Sequence, residues 1–305
     1  MTAGRGIKRL NQNATPLRNR RPHVRRLRSE GHSFEAGEES FVCGIAGYSL
    51  SSESQASRTL AAQALLAGIS ERGADAVGYA FRGDDGRVEV TKLRGGASAL
   101  LDEIHVPASS SQVLLHTRDH TKGHPEIEAN NHPIRHGNVV GVHNGVIEND
   151  DELFAHYGLD RHDDEMTVDS EAIFALMELR RHQPRALRKL RGTMAAAWLD
   201  ERDGRTLYLA KGIRRPLWVG TTSSELYFAS TRRALAIVEA ALRVRLKTRE
   251  VREGRLLEVV GPLVVRARRF RPDRSYREEA HSPVHSPHEA VSCLVQLAEL
   301  ASPAA

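Results

Sequence analysis

Val42-Cys43-Gly44-Ile45-Ala46-Gly47-Tyr48-Ser49-Leu50 is where this chain changes character. The run is apolar and β-prone, with two glycines spaced for close approach by other backbone, so it predicts a buried strand that opens the folded part. Everything before it reads differently. Of the 305 residues, the first 42 carry nine Lys/Arg and four Glu, which accounts for the whole formal charge of +5; the remainder holds 35 charges of each sign. Pro16 and Pro22 interrupt any helix in this leader, and it has no apolar core of a secretory signal, so residues 1–42 read as a disordered leader. With 40% hydrophobic and 27% charged residues, the chain can bury a core. No apolar run reaches the ~18 residues of a membrane span. Two cysteines, Cys43 and Cys293, without C-x-x-C or H-E-x-x-H, exclude a disulfide scaffold and point to no metal, no cofactor and a cytoplasmic setting.

Beyond Leu50, residues 57–70 predict a helix with a Leu/Ala face. Strand-like runs follow at 77–81, 88–93, 113–116 and 139–143. Residues 193–199 and 206–210 predict a hairpin about an Asp203-Gly204 turn, and 217–220 and 226–229 continue the sheet. Residues 168–181 and 231–242 predict helices, and 290–300 a terminal one. Many strands with few helices, out of strict alternation, predict an α+β layered domain. The chain divides at this level into 1–42, a domain over 43–265, and a tail over 266–305.

Cys43 alone is consistent with a small buried hydrophobe. His116-Thr117-Arg118 and His143-Asn144-Gly145, however, each place polar groups where a β-run ends. Asn144-Gly145 reads either as a plain turn or as a side-chain amide next to a backbone N–H, the pairing an oxyanion hole requires. Arg118 suits an ion pair or bidentate carboxylate capture. Asp169 reads as a helix N-cap or as the partner of a substrate ammonium.

Together these stretches resemble the class II glutamine amidotransferases of the N-terminal-nucleophile hydrolase superfamily. The matching segments are Cys43–Gly47, Glu71–Gly78, His116-Thr117-Arg118 with Thr121 and Gly123, Asn130–Pro133, Val142–Asn149, Thr167–Glu171 and Gly192–Ala197, in order along the chain. The flavour is similar to the glutaminase domain of glucosamine-6-phosphate synthase. The resemblance implies an αββα four-layer sandwich. It also implies that Cys43, first residue of the mature protein, attacks the amide of L-glutamine with its own α-amine as base. Asn144 and the Gly145 N–H then stabilise the oxyanion. Arg118, with Thr121, grips the α-carboxylate, Asp169 and the Gly145 carbonyl hold the α-ammonium, and Arg72 frames the nucleophile. Where the family has Trp, Ala and His, this chain has Asp119, His120 and Lys122. Lys122 is expected still to attract a carboxylate, while loss of the aromatic leaves loop closure open.

A free amine on Cys43 requires removal of residues 1–42 or translation from Val42. About 40 residues follow Pro262, too few for a synthase domain, so the expectation is a glutaminase subunit serving a separate ammonia-accepting synthase. No nucleic-acid or membrane partner is expected. The alternatives are a related amidase acting on another amide, or a non-catalytic regulatory homologue.

Overall fold

Alternation of side chains along the strands sorts the apolar residues into three separate layers. In the computed structural model, which describes residues 43–278 and 285–302, strand β1 (Gly44–Leu50) sends Ala46, Tyr48 and Leu50 to one face and Ile45 to the other. It lies in the middle of a seven-stranded antiparallel sheet. On one side it pairs with β4 (Gln112–Arg118), then β2 (Ala76–Arg82) and β3 (Val88–Arg94). On the other it pairs with β10 (Glu225–Ala229), then β9 (Trp218–Thr221) and β11 (Lys247–Glu250). The second sheet has six strands, ordered β13 (Leu263–Arg269), β12 (Arg255–Val260), β8 (Asp203–Lys211), β7 (Gly192–Asp200), β6 (Val139–Ile147) and β5 (Ile134–His136).

Ile45, Ala80 and Leu114 of the first sheet meet Val140, Val142, Ala195, Ala197 and Leu209 of the second in the layer between them. Outside the first sheet, helices α1 (Arg58–Ile69), α5 (Arg232–Leu242) and α6 (Pro287–Leu300) bury Leu65, Ile69, Leu235 and Leu297 against Tyr48 and Leu115. Helix α1 is buried from Ala61 to Ile69 because the sheet, α5 and α6 enclose it. Outside the second sheet, α2 (Asp150–Tyr157), α3 (Glu171–Arg180) and the short α4 (Pro184–Leu187) cover Trp198 and Tyr208. The order is therefore helix, sheet, sheet, helix, as the α+β sandwich expectation has it. Ser57 and Thr231 start α1 and α5 by accepting from the N–H three residues on, at 3.3 and 3.1 Å. Gly47 has to be glycine: a Cβ there would lie 2.1 Å from the Val113 carbonyl oxygen.

Several boundaries differ from expectation. Strand β6 does not end at His143 but runs through Asn144 and Gly145 to Ile147, paired throughout with β7. The β7–β8 turn falls at Glu201-Arg202, not Asp203-Gly204, because the Asp200 carboxylate accepts from the Arg202 N–H at 2.8 Å. Strand β13 crosses the division drawn at 265, and α6 packs on α1 through Cys293 and Leu297, so the described part of the tail belongs to the same body as the domain. The expectation of a disordered leader falls on residues 1–42, outside the described residues.

Candidate active site

Cys43 immediately precedes β1 and is only 7% exposed. Its carbonyl oxygen accepts from Nε of the fully buried Arg72, at 2.9 Å, on the 3-10 turn Ser70–Arg72 that continues α1. Its thiol donates to the carbonyl oxygen of Asp119 at 3.2 Å. Burial pushes the thiol up to about 11, against the Asp119 hydrogen bond and the Arg118 charge. The Asp169 carboxylate acts on the same thiol, so Cys43, Arg118 and Asp169 share one electrostatic neighbourhood.

Strand β6 carries the next component. Asn144 is fully buried, yet neither its Nδ2 nor its Oδ1 has a hydrogen-bond partner among the described residues. Leaving a buried amide unpaired costs about 1–3 kcal/mol, so both its donor and its acceptor are available to a ligand. Gly145 follows with φ +140°, and a Cβ there would lie 2.1 Å from the Thr193 carbonyl oxygen. Only glycine fits this kink in a paired strand.

Arg118 ends β4 with its guanidinium buried. Nη1 donates to Asn131 Oδ1 at 2.5 Å, and Nη2 donates to the carbonyl oxygens of Lys122, at 3.0 Å, and Gly123. Two of its five N–H donors, one on Nε and one on Nη1, have no hydrogen-bond partner among the described residues. The loop that it holds is also fixed at its outer side, where Asp75 Oδ2 accepts from the His120 main-chain N–H at 2.9 Å and contacts Nδ1 at 2.5 Å. Asn130 Oδ1 accepts from the N–H groups of Thr167 and Val168 at 2.7 and 3.0 Å, tying the same region to the segment before Asp169.

Asp169 is buried and accepts from the Ile147 N–H at 2.6 Å, where β6 ends. Burial pushes its carboxyl up to about 6 in spite of that bond, with Asp150 adding to the rise. Thr121, Lys122, Ile147 and Asp169 line one cavity of about 280 Å³, the small end of the range for ligand sites. Lys122 Nζ lies 2.8 and 2.7 Å from the two oxygens of Asp150 and 2.8 Å from Asp151, which pairs its charge with the start of α2.

The buried histidines lie close to one another. The His116 and His132 rings stack with centroids 4.1 Å apart, His116 Nε2 donates to the His143 carbonyl oxygen at 3.0 Å, and His143 pairs with Ser170 Oγ at 2.8 Å. Burial lowers His116 and His143 to about 3, which keeps both neutral. Among the described residues no group of three or more His, Cys, Asp or Glu could hold a metal ion, and no helix is long and apolar enough to cross a membrane. Sequence reasoning missed Asp150, Tyr276, Arg277 and Glu278, which also line the cavity. The last three arrive from beyond β13, where only an Arg- and Pro-rich composition was visible.

Residues 116–237 match the family described as a glutamine amidotransferase domain. The chain is similar to the glutamine–fructose-6-phosphate aminotransferase (isomerizing) of Oceanobacillus iheyensis, 31% identical over 191 residues that cover 59% of this chain and 30% of that protein. It is similarly related to the enzyme of the same name from Staphylococcus epidermidis, 33% identical over 215 residues, 65% of this chain and 33% of that one. The chain thus spans about a third of the length of these curated relatives. Among solved structures, the glutamine phosphoribosylpyrophosphate amidotransferase from B. subtilis, complexed with ADP and GMP, superposes with a TM-score of 0.57 at 18% identity, over 74% of this chain and 49% of that one. The allosteric regulatory enzyme of purine biosynthesis gives 0.58 at 20% identity with the same coverages. At that identity the two structures establish the shared fold.

Proposed function

We propose, from the premise that this chain carries a glutamine amidotransferase domain of the class II, N-terminal-nucleophile type, that it hydrolyses L-glutamine to glutamate and ammonia. The observation that carries the reading is the unpaired, buried Asn144 amide in the strand packed against β1, which starts at the nucleophile. Cys43 Sγ attacks the side-chain carbonyl carbon of glutamine, its proton passing to the α-amine of Cys43 once the preceding chain has been removed. Negative charge grows on the carbonyl oxygen and is met by Asn144 Nδ2 and the Gly145 N–H. The C–N bond breaks, the amine returns the proton to the leaving nitrogen, and ammonia departs from a glutamyl thioester. Water then cleaves the thioester, giving glutamate and the free thiol.

The substrate is held at its other end. The unused donors of Arg118, with the Thr121 hydroxyl, receive the α-carboxylate, and Asp169 with the Gly145 carbonyl receives the α-ammonium. Lys122, paired with Asp150 and Asp151, positions the loop, and Arg72 fixes the Cys43 carbonyl. The ammonia passes to an acceptor site on a separate synthase protein in the cytoplasm, with no metal or cofactor needed for the hydrolysis itself. One observation favours a second reading, an amidase for another amide: the neutralised Lys122 and the Asp119-His120 pair replace the family's residues in the substrate loop.

Ammonia release from glutamine by protein beginning at Cys43, beside its Cys43→Ala variant, tests the proposal. No release from either, with candidate partners present, would defeat it. Preference for asparagine or a simple amide over glutamine would select the second reading.

A further inference from the structure

The segment that leaves β13 forms a strap over the cavity described above. Phe270 anchors its start in the core, and its N–H donates to the Gly254 carbonyl oxygen at 3.0 Å. Asp273 Oδ1 then accepts from the N–H and hydroxyl of Ser275 at 2.8 and 2.6 Å. Arg277 Nη1 folds back onto the carbonyl oxygens of Arg274, Ser275 and Tyr276 at 3.0, 3.3 and 3.2 Å. Finally Glu278 pairs with Nη2 of Arg215, a residue only 2% exposed. The strap is pinned at both ends, and Tyr276, Arg277 and Glu278 form part of the cavity wall that Asp169 also lines. Burial pushes the Tyr276 hydroxyl up, with Glu278, Glu148 and Asp169 adding to the rise against the Arg215 charge.

The charges of the wall cancel except for two. Lys122 is paired with Asp150 and Asp151, Asp150 also with Arg161, Glu148 with Arg191, and Glu278 with Arg215. Asp169 and Arg277 are the charged residues of this wall with no ion pair among the described residues. One unpaired anion and one unpaired cation facing a cavity of amino-acid size are the complement of a zwitterion. We infer that Arg277 is a second substrate-binding cation, which joins Arg118 and Thr121 on the α-carboxylate of a free α-amino acid whose ammonium rests on Asp169, and that the strap thereby strengthens selection of free amino acids over α-blocked amides. This rests on the proposed function and adds to it a specificity determinant supplied from outside the motif-bearing segments.

Kinetics with L-glutamine and L-glutaminamide, which lacks the α-carboxylate, test it on wild type, Arg277→Ala and Arg277→Lys. For glutamine, Arg277→Ala raises KM about tenfold or more with kcat within about twofold, and Arg277→Lys recovers part of the loss. For glutaminamide the KM of Arg277→Ala stays within about twofold of wild type. An unchanged glutamine KM, or an equal rise for both substrates, overturns the inference, the latter because it would mark a loosened strap rather than a lost charge contact. If the wild type releases no ammonia from glutamine, the functional reading falls. The strap is then judged by calorimetric titration of L-glutamate into the wild type and Arg277→Ala. Weaker binding by the variant upholds it, and indistinguishable behaviour overturns it.

Discussion

The thiol of Cys43 donates to the main-chain oxygen of Asp119 at 3.2 Å, so this cysteine rests against the loop held by Arg118. Held this way the thiol is buried, and burial raises it to about 11, leaving roughly one thiolate in a thousand at pH 8. Iodoacetamide labelling of Cys43 in the full chain is expected to be slow at pH 8 and to rise about tenfold per pH unit as pH climbs toward 11. Peptide mass analysis of the alkylated site measures this, and fast labelling at neutral pH would contradict it.

Asn144→Ala separates activity from stability. The amide makes no hydrogen bond with the described residues that the substitution could break, and its removal relieves the cost of an unpaired buried amide, so stability is unchanged or rises by up to about 1–3 kcal/mol. Loss of an oxyanion donor lowers kcat by about 10²–10³. Thermal melting beside steady-state kinetics reads both, and a large loss of stability with an unchanged kcat would reverse the assignment.

Asp169 carries a stability cost with a defined sign. Its folded carboxyl titrates near 6 against an ordinary value of 3.8, raised by burial. A raised carboxyl favours the folded state fully when protonated, below about pH 4, and that advantage is lost as pH rises through 6. Asp169→Asn is therefore expected to be more stable than wild type at pH 8, by an amount on the order of 2–3 kcal/mol, with the gain vanishing near pH 4. Denaturant melts at the two pH values check this. In the wild type, KM for glutamine should rise as pH falls below 6, because the ammonium site loses its charge.

Asp75 clips the outside of the substrate loop. Burial alone would raise its carboxyl, but the ring and main-chain donors of His120 hold it below the usual carboxylate range. Asp75→Asn weakens a half-exposed contact worth less than about 1 kcal/mol, so the fold survives. The loop loosens and KM rises several-fold with kcat little changed. A fall in kcat at constant KM would show that the clip acts on the chemistry instead.

Residues whose role depends on near neighbours were legible in the sequence. Cys43 ahead of a Gly-containing strand, Asn144-Gly145 and Arg118 were all visible as local patterns, while many strands with few helices suggested the α+β layers and the family resemblance implied the sandwich. The end of β6 was misjudged because Asn-Gly is ordinarily a turn, whereas here Ala195 and Met194 of β7 pair with both residues and keep the strand going. Strands β12 and β13 were obscured by the arginines interspersed among their apolar residues, β13 being the edge of its sheet. The engagement of Lys122 depends on Asp150 and Asp151, nearly thirty positions away, and the strap lies further still from the loop it faces. Such contacts have no periodicity to read.

The central place of β1 also sets a timetable for synthesis. Ala46 pairs with Ala229, so the strand that follows Cys43 lacks one flank until roughly 180 further residues have been made. At about 5–20 residues per second, the ribosome takes on the order of ten seconds or more to deliver β10 after Cys43 has emerged. During that interval the nascent chain has a cysteine but no assembled site. Completion of the sheet around β1 therefore waits on the last third of the chain.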